Sequence, residues 1–382
     1  MNVGNDHPWP CGGGGAIGDT SGWPFAASLR RSYNRHAGVL RAPGSDWCGP
    51  RIGWFRLNLD DVVSLMRPDL GLVEERLRQE AMVDYPFVGE IIQDLIAAGG
   101  KRLRPLMLLL AARPFDYHIE RLIPAAAGVE LLHTASLIHD DTVDHATTRR
   151  GRPTLNSLFG TGTVILLGDY LFARAAVLAA ETMNPRVVAV FANTLGQISD
   201  GQLREIFNAH RLDQSLEDYH FRIFGKTASL FAGASEMGAI LANASDDQIA
   251  ALQTYGTNVG MAFQILDDVL DLRESDDHLG KPAGLDLRQG TVTLPTMLYF
   301  QEIRDDHRKR ELITRVVGGS QVTDDDYAVA VASIRESGAI ERALAVAASY
   351  VDAAREALRR VPPGEGRDLL TVVAEESLRR ER

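Results

Sequence analysis

The sequence predicts an all-α fold, one large helical bundle around a central cavity, and three observations carry that prediction. Apolar residues recur at three-to-four-residue spacing through nearly everything after residue 57. Gly and Pro occupy the joints between these stretches: Gly99-Gly100, Pro114, Gly151-Arg152-Pro153, Gly160 and Gly280-Lys281-Pro282. No alternating strand with a hairpin turn stands out, and no repeat of roughly 20 to 50 residues appears.

The elements follow in order. Leu57–Met66 contains the acidic pair Asp60-Asp61, and Leu70–Met82 shows the same apolar spacing. Helical periodicity recurs over Phe87–Ala98, Leu103–Ala112, Leu122–His139, Gly162–Thr182, Arg186–Asn208, Leu216–Asn243 and Asp246–Leu272. Thr293–Ile303, Asp324–Ser337, Ala339–Arg360 and Leu369–Arg382 complete the set. Leu122–His139 and Asp246–Leu272 are almost apolar until their C-terminal ends, as befits helices buried at the centre of a bundle. Small residues along them (Ala125, Ala126, Ala127, Gly128, Ala135, Ser136; Gly256, Gly260, Ala262) leave room for close helix approach or for a long hydrophobic ligand.

Residues 1–57 differ from the rest. All four tryptophans (Trp9, Trp23, Trp47, Trp54) lie there, with a Gly12–Gly15 run, several prolines and no helical periodicity. This composition predicts a flexible extension without a core of its own, followed by one domain over 58–382.

With 382 residues the chain can bury a substantial core, and its net charge of −11 argues against nucleic-acid partners, which require a basic stripe. Cys11 and Cys48 are the only cysteines, both in the extension. Neither a disulfide framework nor cysteine catalysis therefore supports the main domain, and a cytoplasmic location is expected. Unbroken apolar runs such as Leu106–Ala112 are too short to span a bilayer. Arg30-Arg31 is followed by Ser32-Tyr33-Asn34-Arg35-His36 rather than an apolar region, so no export signal is read.

The chemistry is concentrated in two copies of Asp-Asp-x-x-Asp: Asp140, Asp141 and Asp144, and Asp267, Asp268 and Asp271. Each triplet ends one of the two apolar helices. Positions i and i+4 place the first and third carboxylates one turn apart on one face. Converging carboxylates repel unless cations bind, and hard oxygen ligands suit Mg²⁺, which uses one or two carboxylates together with substrate phosphates. Cations lie where a diphosphate would need them: Lys101 and Arg104 after the Gly pair, Arg149 and Arg150 beyond Asp144, Lys226-Thr227, and Lys281 beyond Asp271. They form two sets, enough for two diphosphates. His133 sits on the apolar helix one face away from Asp140, beside the first set.

In these motifs the chain resembles the trans-isoprenyl diphosphate synthases of the polyprenyl synthetase family, from about Leu59 to the C-terminus. The matching stretches are Gly99 to Pro105, His133 through Asp144 to Gly151, Gly168-Asp169, Lys226-Thr227, Phe263-Gln264 through Asp271, and Gly280 to Asp286. The resemblance implies a bundle of the isoprenoid synthase type and a Mg²⁺-dependent head-to-tail condensation of isopentenyl diphosphate onto an allylic diphosphate. It implies that the six aspartates hold about three Mg²⁺ bridging the allylic diphosphate. Arg149, Lys226, Thr227, Gln264 and Lys281 would complete that cage, with Lys101, Arg104, His133 and Arg150 on isopentenyl diphosphate. A homodimer is implied too, with peripheral membrane association for product release. One departure is Thr291 after Gly290, where the family often has Lys before its Thr-Leu-Pro step.

The growing tail is expected to run from the metal slot back along helix 122–139. Ala135 and Ser136, one turn before Asp140, are small and leave that turn open, and an aromatic there would block the tail early. One helical turn rises about 5.4 Å, close to one extended prenyl unit, which favours a long product of about C30 to C50 over C20. Leu131, Leu132, Leu171 and Phe172 are candidates for the floor. A terpene cyclase would have no use for the Lys101/Arg104 pocket, and a phosphohydrolase none for the second triplet. A non-catalytic partner subunit would be expected to lose aspartates. A catalytic chain that requires a small partner remains an alternative.

Overall fold

The computed structural model describes residues 57–97, 100–149, 151–273, 283–319 and 322–379. The expected extension 1–57, apart from Leu57, lies outside the described residues, as do Arg150 and Lys281. Helices α1 (Leu59–Leu65), α2 (Arg67–Glu80), α3 (Pro86–Ala97) and α4 (Leu103–Ala112) lead into the long α5 (Ile119–Val143). A two-residue antiparallel pair, β1 (Thr148–Arg149) with β2 (Arg152–Pro153), and the short α6 (Leu155–Leu158) precede α7 (Thr161–Glu181) and α8 (Pro185–Asn208). Next come α9 (Leu216–Ile223), a π-helical turn (Phe224–Ala228), α10 (Ser229–Leu241) and α11 (Asp246–Arg273). The chain closes with α12 (Leu285–Arg288), α13 (Leu294–Glu302), α14 (His307–Gly318), α15 (Asp324–Arg335), α16 (Ala339–Ala357), a 3₁₀ turn and α17 (Glu365–Glu376).

The all-α expectation holds, with three differences. The predicted helix Leu216–Asn243 is interrupted by the π turn, which carries Lys226 and Thr227. Helix α14 escaped prediction because its first half is charged and only Ile313, Val316 and Val317 are buried. The small hairpin, which turns through Gly151 at φ 74°, is too short to show alternation.

Helix α5 packs along α7, and α11 packs against α10 on one side and α16 on the other. Ala126, Ala127, Ala135, Leu252, Ala262 and Ile265 are all fully buried, so α5 and α11 run through the interior as their apolar sequences require. The glycines of α11 serve close approach: an ideal Cβ on Gly256 would lie 2.5 Å from the Phe231 carbonyl oxygen. By length and composition both α5 and α7 could cross a membrane, although neither contains a long unbroken apolar run. Helix α5 is largely buried in the bundle core, whereas α7 keeps an exposed apolar side with Ile165, Leu166 and Val177.

Candidate active site

The C-terminal end of α5 carries the first triplet and the C-terminal half of α11 the second. In both, the middle aspartate turns inward. Asp141 is buried and receives Arg149 Nε at 2.8 and 2.9 Å on its two oxygens, with Arg149 Nη2 at 2.6 Å. Asp268, only 3% exposed, accepts from Tyr219 Oη at 2.8 Å and from Gln264 Nε2 at 2.9 Å. Gln264 Oε1 in turn accepts from the Thr227 hydroxyl at 2.6 Å. Both oxygens of each middle carboxylate thus have protein donors, while the i and i+4 residues Asp140 and Asp144 share the other face of α5. Asp271 accepts from the backbone N–H groups of Leu285 and Asp286, at 3.1 and 3.2 Å.

Electrostatics mark out the slot. Burial raises Asp140 to about 6, with Asp144 and Glu205 adding to the rise and Lys226 opposing it. Asp144 is raised for the same main reason. Burial also brings Asp268 to about 6 despite its hydrogen bond from Gln264. Asp286 is driven well above the usual carboxylate range by burial and by Asp271, Asp268 and Glu205. Burial works against the Lys226 ammonium, yet Glu205 and Asp140 outweigh it and raise the pKa. Glu205 acts on Asp140 and Asp144 as well as on Asp286, so it stands within electrostatic reach of the first triplet and of Asp286, whose backbone N–H donates to Asp271.

Glycines set this approach. Lys226 forms an ion pair with Glu205 of α8 across the contact between Gly225 and Gly201. An ideal Cβ on Gly225 would lie 2.6 Å from the Gln197 carbonyl oxygen and 2.8 Å from Gly201 Cα, so only glycine lets the π turn lie flat on α8. The π turn itself is a feature frequently found at functional sites. Gly168 serves the first triplet, because a Cβ there would overlap the His139 ring, whose Nε2 lies 3.1 Å from the Ile165 carbonyl oxygen.

A cavity of about 1010 Å³ opens beside the first triplet. It is bordered by Lys101, Arg104, His133, Arg149, Asp141 and Phe263, with an apolar wall that includes Leu155 and Phe159. Arg104 Nη1 lies 3.1 Å from His133 Nε2, and its guanidinium sits 5.1 Å from the Phe231 ring centroid. Lys101 is at the rim, its Nζ 2.7 Å from Asp60. Arg102 points elsewhere: in the left-handed region at φ 50°, it donates to Glu130 at 2.7 Å and to the Ile96 carbonyl oxygen at 2.5 Å.

The structure therefore brings Lys101, Arg104 and His133 together as the sequence predicted. Arg149 joins them at this cavity instead of lying wholly with the second set of cations. Ala135 is fully buried, and Ser136 is half-buried with its hydroxyl on the Leu132 carbonyl oxygen; neither borders the cavity. Phe172 packs edge-on against His139, with centroids 5.2 Å apart, so it lies beside the slot rather than deep below it. Sequence reasoning missed Glu205, Tyr219 and Asp286. Glu205 is spaced one turn from Gly201 and looks like one more surface charge beside Asp200 and Arg204. Asp286 stands at the end of a motif stretch and was given no role.

The polyprenyl synthetase family model matches residues 85–334. The chain belongs to that family. It is 40% identical over 318 residues to the heptaprenyl diphosphate synthase component 2 of Geobacillus stearothermophilus, covering 83% of this chain and 98% of that one. A solved decaprenyl diphosphate synthase from Rhodobacter capsulatus superposes with a TM-score of 0.80 at 36% identity, covering 85% of this chain and 99% of that one. The polyprenyl synthase of Caulobacter crescentus, solved with calcium and isoprenyl diphosphate, gives 0.79 at 37% identity, with 87% and 100% covered. Family membership makes this an all-α prenyltransferase of isoprenoid biosynthesis. The two Asp-Asp-x-x-Asp triplets that carried the sequence resemblance are held here on α5 and α11.

Proposed function

We propose that this chain is a trans-polyprenyl diphosphate synthase that condenses isopentenyl diphosphate head-to-tail onto an allylic diphosphate, with a product of about C30 to C50. The observation that carries the reading is the pairing of an acidic slot, reached by Lys226, with an adjoining cavity that gathers Arg104, His133, Lys101 and Arg149. Two diphosphates have two addresses.

Mg²⁺ fits the donor set of the slot. The available ligands are hard carboxylate oxygens, and burial with like charges raises Asp140 and Asp144 in the way a bound cation would relieve. Among the described residues no group of three acidic or histidine side chains forms a ready-made cage, which suits a cation held partly by substrate phosphates. Asp140, Asp144, Asp267 and Asp271 would hold about three such ions, and Asp141 and Asp268 would support them from inside the protein. When bound, Mg²⁺ supplies Lewis-acid neutralisation of the leaving diphosphate.

The protein's own groups do the rest. Lys226 moves from Glu205 to the allylic diphosphate and stabilises the charge that grows as the C–O bond breaks. Arg104, His133 and Lys101 hold isopentenyl diphosphate so that its double bond faces the allylic carbon, a matter of positioning. Phe263, Leu137 and Ile138 keep water from the carbocation. The proton lost in forming the new double bond passes to the released diphosphate. No protein nucleophile takes part. The tail runs back along α5 past Ala135 and Ser136.

The residue range 58–382 is the catalytic domain in this reading, and the location is cytoplasmic, with peripheral membrane contact for product release. The exposed apolar residues of α7 and α8, including Leu166 at 70% and Phe207 at 74% exposure, form the face for a second copy in a homodimer. A heteromeric synthase is the second reading. It is favoured by the relative named as a component 2. A C20 product is the third, since solved geranylgeranyl pyrophosphate synthetases also share the fold. Purified protein incubated with Mg²⁺, isopentenyl diphosphate and farnesyl diphosphate tests all three. Long prenyl diphosphates from this chain alone are expected. A C20 stop selects the third reading, activity only with an added partner selects the second, and no elongation under any condition refutes the assignment.

A further inference from the structure

Tyr219 is fully buried on α9, beneath the second triplet, and none of the roles above uses it. Its hydroxyl donates to Asp268 Oδ2 at 2.8 Å, and Asp268 Oδ1 accepts from Gln264 Nε2 at 2.9 Å. The chain continues as the Thr227 hydroxyl donates to Gln264 Oε1 at 2.6 Å. The Asp268 carboxylate sets the polarity of every hydrogen bond in this line, and Tyr219 holds that carboxylate in place. A carboxylate oxygen can only accept, so Gln264 must turn its NH₂ toward Asp268 and its carbonyl toward Thr227. Thr227 must then spend its proton on Gln264 and present lone pairs to the slot. The free second N–H of Gln264 remains available to a phosphate oxygen.

The base of the line is fixed too. Arg222, 3% exposed, donates to the Val292 carbonyl oxygen at 2.8 Å and lies 5.4 Å from the Tyr219 ring centroid, so the phenol ring cannot swing away. Without the phenolic O–H, Asp268 Oδ2 would be a buried acceptor lacking this donor, and the carboxylate would be free to rotate about χ2. Gln264, still bound to donate to Asp268, would then follow the rotating carboxylate and lose its fixed place at the slot.

We propose that Tyr219 is a positioning residue for the prenyl transfer, acting through Asp268 to fix where Gln264 and Thr227 present their polar atoms to the metal–diphosphate complex. The inference rests on the synthase reading. It assigns a function to a side chain outside both aspartate motifs and outside both sets of cations.

The test is Tyr219→Phe in the full chain, compared with the parent for kcat, for the KM of each substrate, and for binding of inorganic diphosphate with Mg²⁺ by calorimetry. Expected are a fall in kcat of about tenfold and diphosphate binding weakened by about the same factor. The KM for isopentenyl diphosphate, whose cavity lies elsewhere, should stay within about twofold of the parent. A variant with parental diphosphate binding and kcat overturns the proposal. So does an equal loss at both substrate sites, which would mark a general loosening of the fold. Should Tyr219→Phe not fold, Tyr219→Phe with Asp268→Asn is compared with Asp268→Asn alone. Equal diphosphate binding in the two supports the relay, and a further loss in the double variant overturns it. A parent that binds diphosphate but elongates nothing would count against the synthase reading, whereas these binding comparisons judge Tyr219 independently of turnover.

Discussion

Gly225→Ala is the sharpest perturbation the geometry offers, because it adds one methyl group at the point where the π turn meets α8. The ideal Cβ would lie 2.6 Å from the Gln197 carbonyl oxygen and 2.8 Å from Gly201 Cα, whereas ordinary contact begins at 3.4 Å. The obstacles are backbone atoms of a packed helix, so no rotamer change relieves them. The turn must shift by about 0.8 Å, and the next residue is Lys226. A misplacement of about 1 Å at a catalytic group costs on the order of 10²-fold in rate, so kcat should fall by about 30- to 100-fold. Overpacking costs about 1–3 kcal/mol, offset in part by the better helix propensity of Ala. Gly71→Ala on α2, where nothing lies within 4 Å of the ideal Cβ, is the control and should be neutral or stabilising by up to about 1 kcal/mol. Steady-state elongation and thermal melting measure both. A Gly225→Ala enzyme with parental kcat would refute the argument that the glycine contact places Lys226.

Three further outcomes are expected. Asp140→Ala or Asp267→Ala should reduce turnover to background while the melting temperature stays near the parental value; retained turnover in either would contradict the metal-slot reading. Ala135→Phe places an aromatic about 7.5 Å below Asp140 and should shorten the product while costing about 1–3 kcal/mol, since Ala135 is fully buried; an unchanged product length measured by chromatography would refute the tail path. In metal-free protein, Asp140 and Asp268 rise from 3.8 to about 6 on folding, so the folded state binds protons more tightly and stability should increase as pH falls from about 7 toward 4.5. That penalty is constant above both values. Buried His220, lowered from 6.5 to about 4, opposes the trend across the same window but is outweighed by Asp140 and Asp268 together with the raised Asp144 and Asp286. The lowered pKa values of Asp116, Asp213 and Asp326 oppose it only near and below pH 3.8. Urea midpoints that stay flat or fall between pH 7 and 5 would count against it.

Much of the fold was legible because long buried helices write their period into the sequence. Helices α5 and α11 could be read from apolar runs ending in aspartate, and the Gly and Pro joints fell close to observed boundaries. What stayed hidden had weak local signals. Helix α14 opens with His307-Arg308-Lys309-Arg310 and buries only three residues near its end. The π turn depends on how two helices meet, and a single inserted residue leaves no mark in the apolar pattern. Lys101, Arg104 and His133 were found because their motifs are local. Glu205 and Tyr219 were not, since their partners Lys226 and Asp268 lie 21 and 49 residues away along the chain.

The two triplets differ in a way that identical letters could not reveal. Asp141 is matched by a guanidinium, which cancels its charge, whereas Asp268 is matched by the neutral donors Tyr219 and Gln264, which orient it without cancelling anything. Burial drives Asp286 beside the second triplet well above the usual carboxylate range, and Arg222 offsets the rise of Asp268 only in part. Lys226 is already engaged by Glu205. Among the described residues, therefore, the middle carboxylate on α11 is held by neutral donors where its counterpart on α5 is held by a guanidinium. A bare diphosphate meets the buried Asp140 and Asp144, a guanidinium already bonded to Asp141 and an ammonium already paired with Glu205. In the proposed reading its binding to the slot is conditional on divalent cations, whereas the cavity around Arg104 and His133 would need none. On that reading the same acidic chain holds one diphosphate through metal and the other through its own side chains, which would keep the two substrates distinct by charge before any contact with their tails.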